Sequence, residues 1–376
     1  MPYLDHAATT PLRPEAAEAM RPWLGGSFGN PSGVHAVSRR AKAAVEDARE
    51  RAASLLGAAH PLDIVFTGGG TESDNLALLG VALAGGRRGG VVTTAVEHPA
   101  VLETARFLET LGCAVTTVGV DGSGVVSTEA LLAAIEPGTA VVSVMTANNE
   151  TGVVQPVAEV AEWLEGTGVL LHTDAAQAAV SRSVTLDDLG ADLVSLASHK
   201  LGGPQGVGLL ALRPGIVLEP LLHGGGQELG RRSGTHNVAG ILGLVSAMEA
   251  ALFDRKRFVA EVGEGRSRFE SAILAAVPGA RVTSGDADRL VQHSHLQLPG
   301  ADAETLLVRL DGMGVSAAAG SACHSGAITP SHVLTAMGLS PADAASCVRF
   351  SFGWDSVAED GEVAASAVIA ALGASR

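Results

Sequence analysis

The chain has 376 residues, which favours two domains over one, and 47% hydrophobic with 17% charged residues is globular rather than disordered. A formal net charge of -15 argues against a protein that binds nucleic acid or an anionic membrane surface by neutralising phosphates. We therefore expect an acidic enzyme with no direct nucleic-acid partner and no membrane partner.

The start of the chain, MPYLDHAATT, has no basic region followed by an apolar one, so it predicts no signal peptide. No apolar stretch approaches the length of a membrane helix. The three cysteines, Cys113, Cys323 and Cys347, form no closely spaced pair, which suits a reducing compartment. We expect the protein in the cytoplasm.

Short apolar runs alternate with amphipathic helical stretches through most of the chain. Strands are predicted at 63–67, 90–95, 114–118, 140–146, 169–174, 192–197 and 206–212. Helices are predicted at 38–56, 72–84, 99–111, 128–135 and 157–166. Strands that are apolar on both faces and separated by helices indicate an α/β fold with a mostly parallel, seven-stranded sheet covered on both sides.

The pattern changes after a long polar helix predicted at 254–269, which leaves the sheet. From there to Arg376 the sequence predicts a smaller α+β unit. We therefore predict a large domain over residues 14–255, and a small domain made of residues 1–13 and 256–376.

Polar residues just after strands are the first candidates for function, because ligands bind at the carboxyl ends of the strands in such sheets. The glycines at 68–70 and Thr71 follow the first strand and open a helix, where free N–H groups and the helix dipole attract anions. The pattern is typical either of a phosphate site or of an ordinary helix start. It lacks the lysine of a P-loop, which argues against a nucleotide hydrolase.

Two successive strands end in Asp174 and in the segment Ser198-His199-Lys200. Asp174 either holds a protonated heterocyclic nitrogen, as in pyridoxal-phosphate enzymes, or caps a helix. Lys200 either forms a covalent bond to a carbonyl group or is an ordinary solvated lysine. Their positions predict a carboxylate and an amine side by side at one edge of the sheet.

Three further residue types could take part in chemistry. His98 follows a strand, and its ring would either stack on an aromatic cofactor or serve a structural role. Cys323 lies among small residues, which suits an accessible nucleophile, whereas Cys113 and Cys347 are typical of buried, inert thiols. Arg349, in the predicted strand VRFSFG, would bind a carboxylate in a bidentate manner or form a surface salt bridge.

Together these residues resemble the cysteine desulfurases of the NifS/IscS type, which belong to the class V aminotransferase group of fold-type I pyridoxal-phosphate enzymes. The resemblance runs from YLDHAATTP near the start to VRFSFG near the end. The matching segments are 3–11, 29–32, 69–75, 97–98, 148–152, 172–177, 198–200, 223–226, 232–235, 320–323 and 348–353.

The resemblance implies removal of sulfur from L-cysteine, giving L-alanine and a persulfide on Cys323. Lys200 would carry pyridoxal phosphate covalently and act as the acid–base group, Asp174 would hold the pyridine nitrogen, and His98 would stack on the ring and shuttle protons. The full implied cofactor site is Gly70, Thr71, His98, Asn149, Asp174, Gln177, Ser198, His199 and Lys200, with Thr235 contributed by the second subunit of a homodimer. The implied substrate ligands are Asn30, Asn149 and Arg349.

The chain departs from the resembled pattern at two places. Many members have a serine that binds the phosphate where this chain has Ala197, and Ser198 is the candidate replacement. The sequence ends about 27 residues after Arg349, without the longer tail that housekeeping bacterial members use to dock the iron–sulfur scaffold, so the resemblance does not indicate how a scaffold would dock.

The expected partners are L-cysteine, a second copy of the chain and a sulfur-acceptor protein, either an iron–sulfur scaffold or a thiolation enzyme. No resident metal is expected, although Cys323 could transiently share an iron–sulfur cluster with a scaffold. A selenocysteine lyase or another class V lyase or aminotransferase is the alternative. A sulfur-carrying scaffold with a decayed site would have lost Lys200 or Asp174, and both are present.

Overall fold

The computed structural model describes residues 2–319 and 331–373. Their strands form a seven-stranded sheet and a three-stranded sheet. The helices are α1 (Pro14–Met20), α2 (Ala36–Leu56), α3 (Gly70–Ala82), α4 (Pro99–Thr110), α5 (Thr128–Ala133), α6 (Val157–Leu164), α7 (Leu186–Leu189), α8 (Val238–Ala276), α9 (Ala303–Gly312), α10 (His332–Ala336), α11 (Pro341–Ala344) and α12 (Ala358–Gly373). No helix among the described residues is both long enough and apolar enough to cross a bilayer.

The large sheet has the strand order β1-β7-β6-β5-β4-β2-β3. Its strands are β1 (Ile64–Thr67), β2 (Gly90–Thr94), β3 (Val115–Val118), β4 (Thr139–Ser143), β5 (Leu170–Asp174), β6 (Leu193–Ala197) and β7 (Gly208–Leu212). Strands β2 to β6 are mutually parallel, whereas β7 runs antiparallel to both β6 and β1. The mostly parallel, seven-stranded sheet predicted from the sequence is therefore confirmed.

Helices cover both faces of this sheet, as its doubly apolar strands require. One face packs on α2, α6 and the first half of α8, and the other packs on α3 and α4. Strands β6 and β7 are buried along their whole length, which explains their near-continuous apolar sequences LVSLA and GLLAL. The sheet thus forms a rigid platform whose strand ends can hold a site.

Helix α8 is longer than the sequence predicts. The prediction placed a helix at 254–269, but α8 runs over 39 residues from Val238 to Ala276. Its first half is buried against the large sheet, including Ile241 and Leu244, so it lacks the polar face that marks a helix in a sequence. The predicted helix is wrong in its start, because a helix buried on all sides shows no amphipathic pattern.

The three-stranded sheet has the order β10-β9-β8, with β8 (Arg281–Val282), β9 (His293–Gln297) and β10 (Cys347–Ser351). It packs with α9, α12 and the second half of α8 around a separate core. In that core the ring centroids of Phe269 and Phe350 lie 4.8 Å apart. Leu4 is buried in the same core. A domain boundary near residue 255 stays a prediction, since α8 passes through it without interruption.

Candidate active site

Five of the six strands that end at one edge of the large sheet are followed by candidate residues. Strands β2, β4, β5 and β6 are parallel, and β1 points the same way because the antiparallel β7 lies between it and β6. The residues that follow these strands include the 68–70 turn, Glu97 and His98, Asn148 and Asn149, Asp174, and the 3₁₀ turn Ser198–Lys200. The structure thus brings the strand-end candidates to a common edge.

The turn between β1 and α3 presents backbone N–H groups. Gly69 precedes the helix with φ +152° and no side chain caps the helix start. Gly68 N donates to Glu72 Oε2 at 2.7 Å, whereas the N–H groups of Gly70 and Thr71 lie in the first turn of α3, have no acceptor within the helix and can bind a ligand. A Cβ on Gly208 would lie 2.6 Å from the Gly69 carbonyl carbon, so only glycine on β7 lets the turn approach the sheet. This arrangement suits an anion such as a phosphate.

A cleft of about 710 Å³ opens above this turn. Gly70 and Thr71 line the cleft together with Ala8, Thr9 and His199. His199 Nδ1 lies 3.1 Å from Thr9 Oγ1, and burial, assisted by Lys200, lowers the pKa of His199 to about 4. A neutral imidazole therefore faces the cleft, and three predicted phosphate ligands share it.

Ala197 and Ser198 occupy different sides of the chain. The Ala197 Cβ lies 3.1 Å from where a Cβ on Gly70 would stand, so position 197 faces the start of α3. Ser198 is fully buried, and its Oγ lies 2.2 Å from the place of a Cβ on Gly203. Its hydroxyl has no hydrogen-bond partner among the described residues, and Ser198 does not line the cleft. The structure therefore does not bring Ser198 to the place that a serine at position 197 would occupy.

Lys200 is half-buried and directed at the N-terminal segment. Its Nζ donates to the carbonyl oxygens of Ala7 and Ala8, the latter at 2.8 Å. Burial and, to a smaller extent, Arg349 lower the pKa of Lys200 to about 8, and Asp174 and Asp5 oppose this shift. A substantial fraction of this amine is therefore neutral near physiological pH, which is what a nucleophilic lysine needs.

Asp174 is the last residue of β5 and is 8% exposed. Its Oδ1 accepts a hydrogen bond from Ala176 N at 2.9 Å. Asp74, His98 and Asp174 each offer a side-chain atom within 4.8 Å of the others. A carboxylate held in this way can accept a hydrogen bond from a protonated ring nitrogen.

His98 forms the N-cap of α4. Its Nδ1 accepts from Ala100 N at 3.1 Å, which fixes the ring and leaves Nε2 to carry the proton of the neutral form. Burial lowers the pKa of His98, and although Asp174 opposes this, Lys200 and His332 add to it. The site therefore contains a neutral, oriented imidazole close to Asp174.

Gln177 and Lys200 meet at the same acceptor. Gln177 Nε2 donates to Ala7 O at 3.0 Å, and Lys200 Nζ donates to the same oxygen. Both side chains also line a small cavity of about 20 Å³ together with His293. The predicted cofactor ligand Gln177 therefore lies next to the predicted covalent lysine.

Arg349 on β10 reaches from the small sheet to this edge. Its Nη1 donates to Asn149 O at 2.9 Å and its Nη2 pairs with Asp5 Oδ1 at 2.7 Å. The Arg349 Nε and the Asn149 Oδ1 are buried without a hydrogen-bond partner among the described residues. A donor and an acceptor are thus held ready for a small polar ligand, as the sequence predicts for substrate binding.

Two predicted ligands lie apart from these groups. Asn30 is exposed, and its Oδ1 accepts from Ser32 N at 3.0 Å. Thr235 is also exposed and is absent from the residues that line the cleft. Within one chain the structure does not place either side chain in the site.

The predicted nucleophile Cys323 lies outside the described residues. The other two thiols are buried, and burial raises the pKa of Cys113 and raises that of Cys347 to about 12. Neither forms a thiolate near neutral pH, which confirms that their segments are structural and leaves Cys323 as the remaining thiol.

The described residues on either side of 320–330 contact the site. Ala318 exchanges backbone hydrogen bonds with Arg349 at 3.1 and 2.7 Å. Ser331 Oγ donates to Glu150 Oε2 at 2.6 Å, and His332 Nε2 lies 2.9 Å from Glu97 O. Both flanks of the cysteine-bearing segment are therefore attached to elements that carry candidate site residues.

Sequence reasoning missed the contributions of Asp5 and Ala7. Both belong to the segment 3–11 that carries the resemblance, but no role follows from their residue types alone. Ala7 acts through its carbonyl oxygen, which any residue would offer, and Asp5 acts through an arginine 344 positions away. Only the tertiary structure connects them to the site.

These residues fit pyridoxal phosphate. The N–H groups at the start of α3 suit its phosphate, Asp174 suits its ring nitrogen, and the amine of Lys200 suits its aldehyde. The unpaired buried atoms of Asn149 and Arg349 supply an acceptor and a donor that an amino-acid substrate can satisfy. Fold and site together define a class: pyridoxal-phosphate-dependent enzymes of fold type I.

Comparisons with known proteins agree. The class-V aminotransferase family matches residues 2–363. The cysteine desulfurase IscS of Dictyoglomus turgidum is 40% identical over 95% of this chain and 91% of its own. A solved NifS-like protein covers 99% of both chains with a TM-score of 0.91 at 34% identity, and a solved structure of SspA in complex with cysteine covers 94% of this chain and 99% of its own, with a TM-score of 0.83 at 37% identity.

The chain belongs to the class-V aminotransferase family, among the cysteine desulfurases of the NifS/IscS type.

Proposed function

We propose that this protein removes sulfur from L-cysteine, using pyridoxal phosphate, and holds the sulfur as a persulfide on Cys323. The observation that carries the proposal is Lys200, an amine whose pKa burial lowers to about 8, at the same sheet edge as Asp174 and His98. Relatives named cysteine desulfurase, at about 40% identity over 95% of the chain, support the choice of reaction within the family.

Each end of the cofactor has residues suited to it. Lys200 would hold it covalently, Asp174 would accept from its ring nitrogen, and His98 would lie against the ring. Gly70 and Thr71, with His199, would bind the phosphate. The chemistry that pyridoxal phosphate supplies when bound is an electron sink, which weakens the bonds around the α carbon of an amino acid.

The protein residues perform the remaining steps. Arg349 orients the carboxylate of cysteine, and Lys200 Nζ moves a proton at the α carbon. The Cys323 thiolate then forms an S–S bond to the substrate sulfur while the substrate C–S bond breaks and its electron pair stays with carbon. Protonation of that carbon gives L-alanine, so that cysteine and a thiol become alanine and a persulfide.

The proposal includes partners. The persulfide passes to a sulfur-acceptor protein, and the site is completed in a homodimer through Thr235 of the second subunit. Thr235 is exposed, as such a contribution requires. A thiol that carries sulfur needs a reducing compartment, and we therefore propose the cytoplasm as the location.

The first prediction tests the nucleophile. Cys323→Ser is expected to abolish sulfide release and alanine formation from L-cysteine, because a serine hydroxyl is not a nucleophile towards sulfur at neutral pH. The visible absorbance of the bound cofactor should remain, since the described groups suited to the cofactor lie outside 320–330. Both quantities are measured on the same purified protein.

Cys347→Ser is the matched control, because this thiol is buried on β10. It should retain turnover. Wild-type turnover in Cys323→Ser would refute the proposed nucleophile, whereas formation of a keto acid in place of alanine would identify an aminotransferase.

A further inference from the structure

Asp74 is a buried carboxyl group close to Asp174, and the proposed reaction does not use it. Asp74, on α3, is 1% exposed, and an atom of its carboxyl group lies within 4.8 Å of an atom of Asp174. Its Oδ1 has no hydrogen-bond partner among the described residues. The ionised form of a fully buried carboxyl group is disfavoured this close to a second carboxyl group, unless a cation compensates it.

The groups around Asp74 supply no such cation. On β5, His172 Nε2 lies 3.6 Å from Asp74 Oδ1, but the ring is fully buried between the hydroxyls of Ser143 and Ser195, and burial lowers its pKa to about 3. Two further groups lie in the connection between β2 and α4. Burial lowers the pKa of His98, so its imidazole is neutral as well. Glu97 is a buried acid, and burial raises its pKa to about 8. The surroundings are therefore acidic or neutral.

The two aspartates differ in the support they receive. Asp174 accepts a backbone N–H from Ala176 at 2.9 Å and stands at the open end of β5, where Lys200 contributes positive charge. Asp74 lies deeper in the core. Burial raises its pKa well above the ordinary value, Asp174 raises it further, and a hydrogen bond with Ser195 opposes both effects. A single proton shared by this pair therefore resides on Asp74.

We propose that Asp74 is a positioning residue that carries a proton, and that as a neutral carboxylic acid it supports Asp174 in the ionised form that holds the ring nitrogen of the cofactor. This inference rests on the proposed function, because it gives Asp74 a task only if Asp174 binds the cofactor. An ionised Asp74 would instead repel the charge on Asp174.

The test uses two variants of the full-length protein. Asp74→Asn replaces the neutral acid by a neutral amide of the same shape, so it should keep the affinity for pyridoxal phosphate within about twofold of wild type. Asp74→Leu has similar bulk but no polar group, so Asp174 would lie beside an apolar side chain and the affinity should weaken by roughly tenfold or more. Affinity is measured by titrating the apoprotein with pyridoxal phosphate.

Infrared difference spectroscopy gives a readout that does not depend on the cofactor. Subtracting the Asp74→Asn spectrum from that of wild type at neutral pH should reveal the carbonyl stretch of a protonated carboxyl group. Carboxylate bands alone in that difference would overturn the proposal, as would a tenfold loss of affinity in Asp74→Asn or wild-type affinity in Asp74→Leu. If Asp74→Leu does not fold, the infrared band and the cofactor affinity of Asp74→Asn still test the proposal.

Asp174→Asn separates this inference from the proposed function. It should lose most of the affinity for pyridoxal phosphate, since the amide carries no charge to hold a protonated ring nitrogen. If Asp174→Asn binds the cofactor normally, the assigned role of Asp174 fails, whatever the protonation state of Asp74.

Discussion

At the scale of single residues, burial and neighbouring charges together determine the protonation state of Lys200. Lys200 lies within the influence of Arg349, which disfavours its protonated form, and of Asp174, which favours it. Arg349 is in turn paired with Asp5 at 2.7 Å. The balance keeps the amine partly neutral without removing the positive charge that a substrate carboxylate needs.

This balance predicts the pH dependence of cofactor capture. Only the neutral amine attacks the aldehyde, and the pKa of Lys200 is lowered from 10.5 to about 8. The rate at which apoprotein captures pyridoxal phosphate should therefore rise with pH up to about 8 and then level off. Stopped-flow absorbance at fixed cofactor concentration measures this rate.

Arg349→Gln provides the comparison. Because the guanidinium lowers the pKa of Lys200, its removal should move the rising limb to higher pH. A wild-type rate that keeps rising to the ordinary pKa of a lysine would contradict the proposed environment of Lys200.

The residue types of the site could be predicted from the sequence, but several of their partners could not. Lys200, Asp174 and His98 stand out because each follows a strand, and parallel strands end at one edge. Asp5 stands out by no such rule, since its ion pair with Arg349 joins positions 344 residues apart. Ser198 is a candidate phosphate ligand by residue type, but its side chain is buried against the Gly203 turn.

At the scale of secondary-structure elements, the site depends on how closely α3 approaches the sheet. The turn before α3 and strand β7 meet backbone to backbone, with Gly69 opposite Gly208. The prediction of β7 as a strand followed from its apolar sequence. Its antiparallel direction could not be predicted, because it depends on the path of the chain after the Ser198–Lys200 turn.

Gly208→Ala tests this contact. The new Cβ would lie 2.6 Å from the Gly69 carbonyl carbon and 2.7 Å from Leu196 O, both backbone atoms that cannot rotate away. We expect a loss of about 1–3 kcal/mol in the free energy of unfolding, typical of overpacking, together with weaker retention of the cofactor. Urea denaturation and cofactor absorbance after dialysis measure the two effects.

Gly263→Ala is the matched control on α8. A Cβ there has its nearest neighbour at 3.9 Å, from Val291, and alanine favours a helix by roughly 0.5–1 kcal/mol over glycine. Gly263→Ala should leave the cofactor in place and raise the free energy of unfolding slightly. Equal behaviour of the two variants would show that the 69–208 contact does not constrain the turn.

At the scale of the whole molecule, the question is whether one chain completes the site. Thr235 and Asn30 are exposed and separate from the cleft within one chain. The proposed homodimer gives Thr235 a place at the phosphate of its partner. If two subunits share each site, two inactive variants with defects in different subunit contributions should regain activity when they form a mixed dimer.

Subunit complementation tests the shared site. Lys200→Ala removes the covalent lysine, and Thr235→Asp adds a negative charge that would repel the phosphate, so each variant alone should be inactive. Unfolded and refolded together, they should form hybrid dimers in which one site combines an intact Lys200 with an intact Thr235, and part of the wild-type activity should return. If Thr235 served its own subunit, or if the protein were an active monomer by light scattering, no activity would return.

The N-terminal segment also determines when the site can form during synthesis. Leu4 N donates to Ser316 O at 3.0 Å, and Leu4 O accepts from Ser351 N at 2.7 Å. A few residues later, the carbonyl oxygens of Ala7 and Ala8 accept from Lys200 Nζ. Residues 4–8 therefore reach their final positions only after residues 316 and 351 have been synthesised. The large sheet can assemble earlier on the growing chain, but the carbonyl oxygens that accept from Lys200 are fixed only at that later point. A nascent chain should thus be unable to bind its cofactor tightly, or to consume cysteine, until residues up to 351 have left the ribosome.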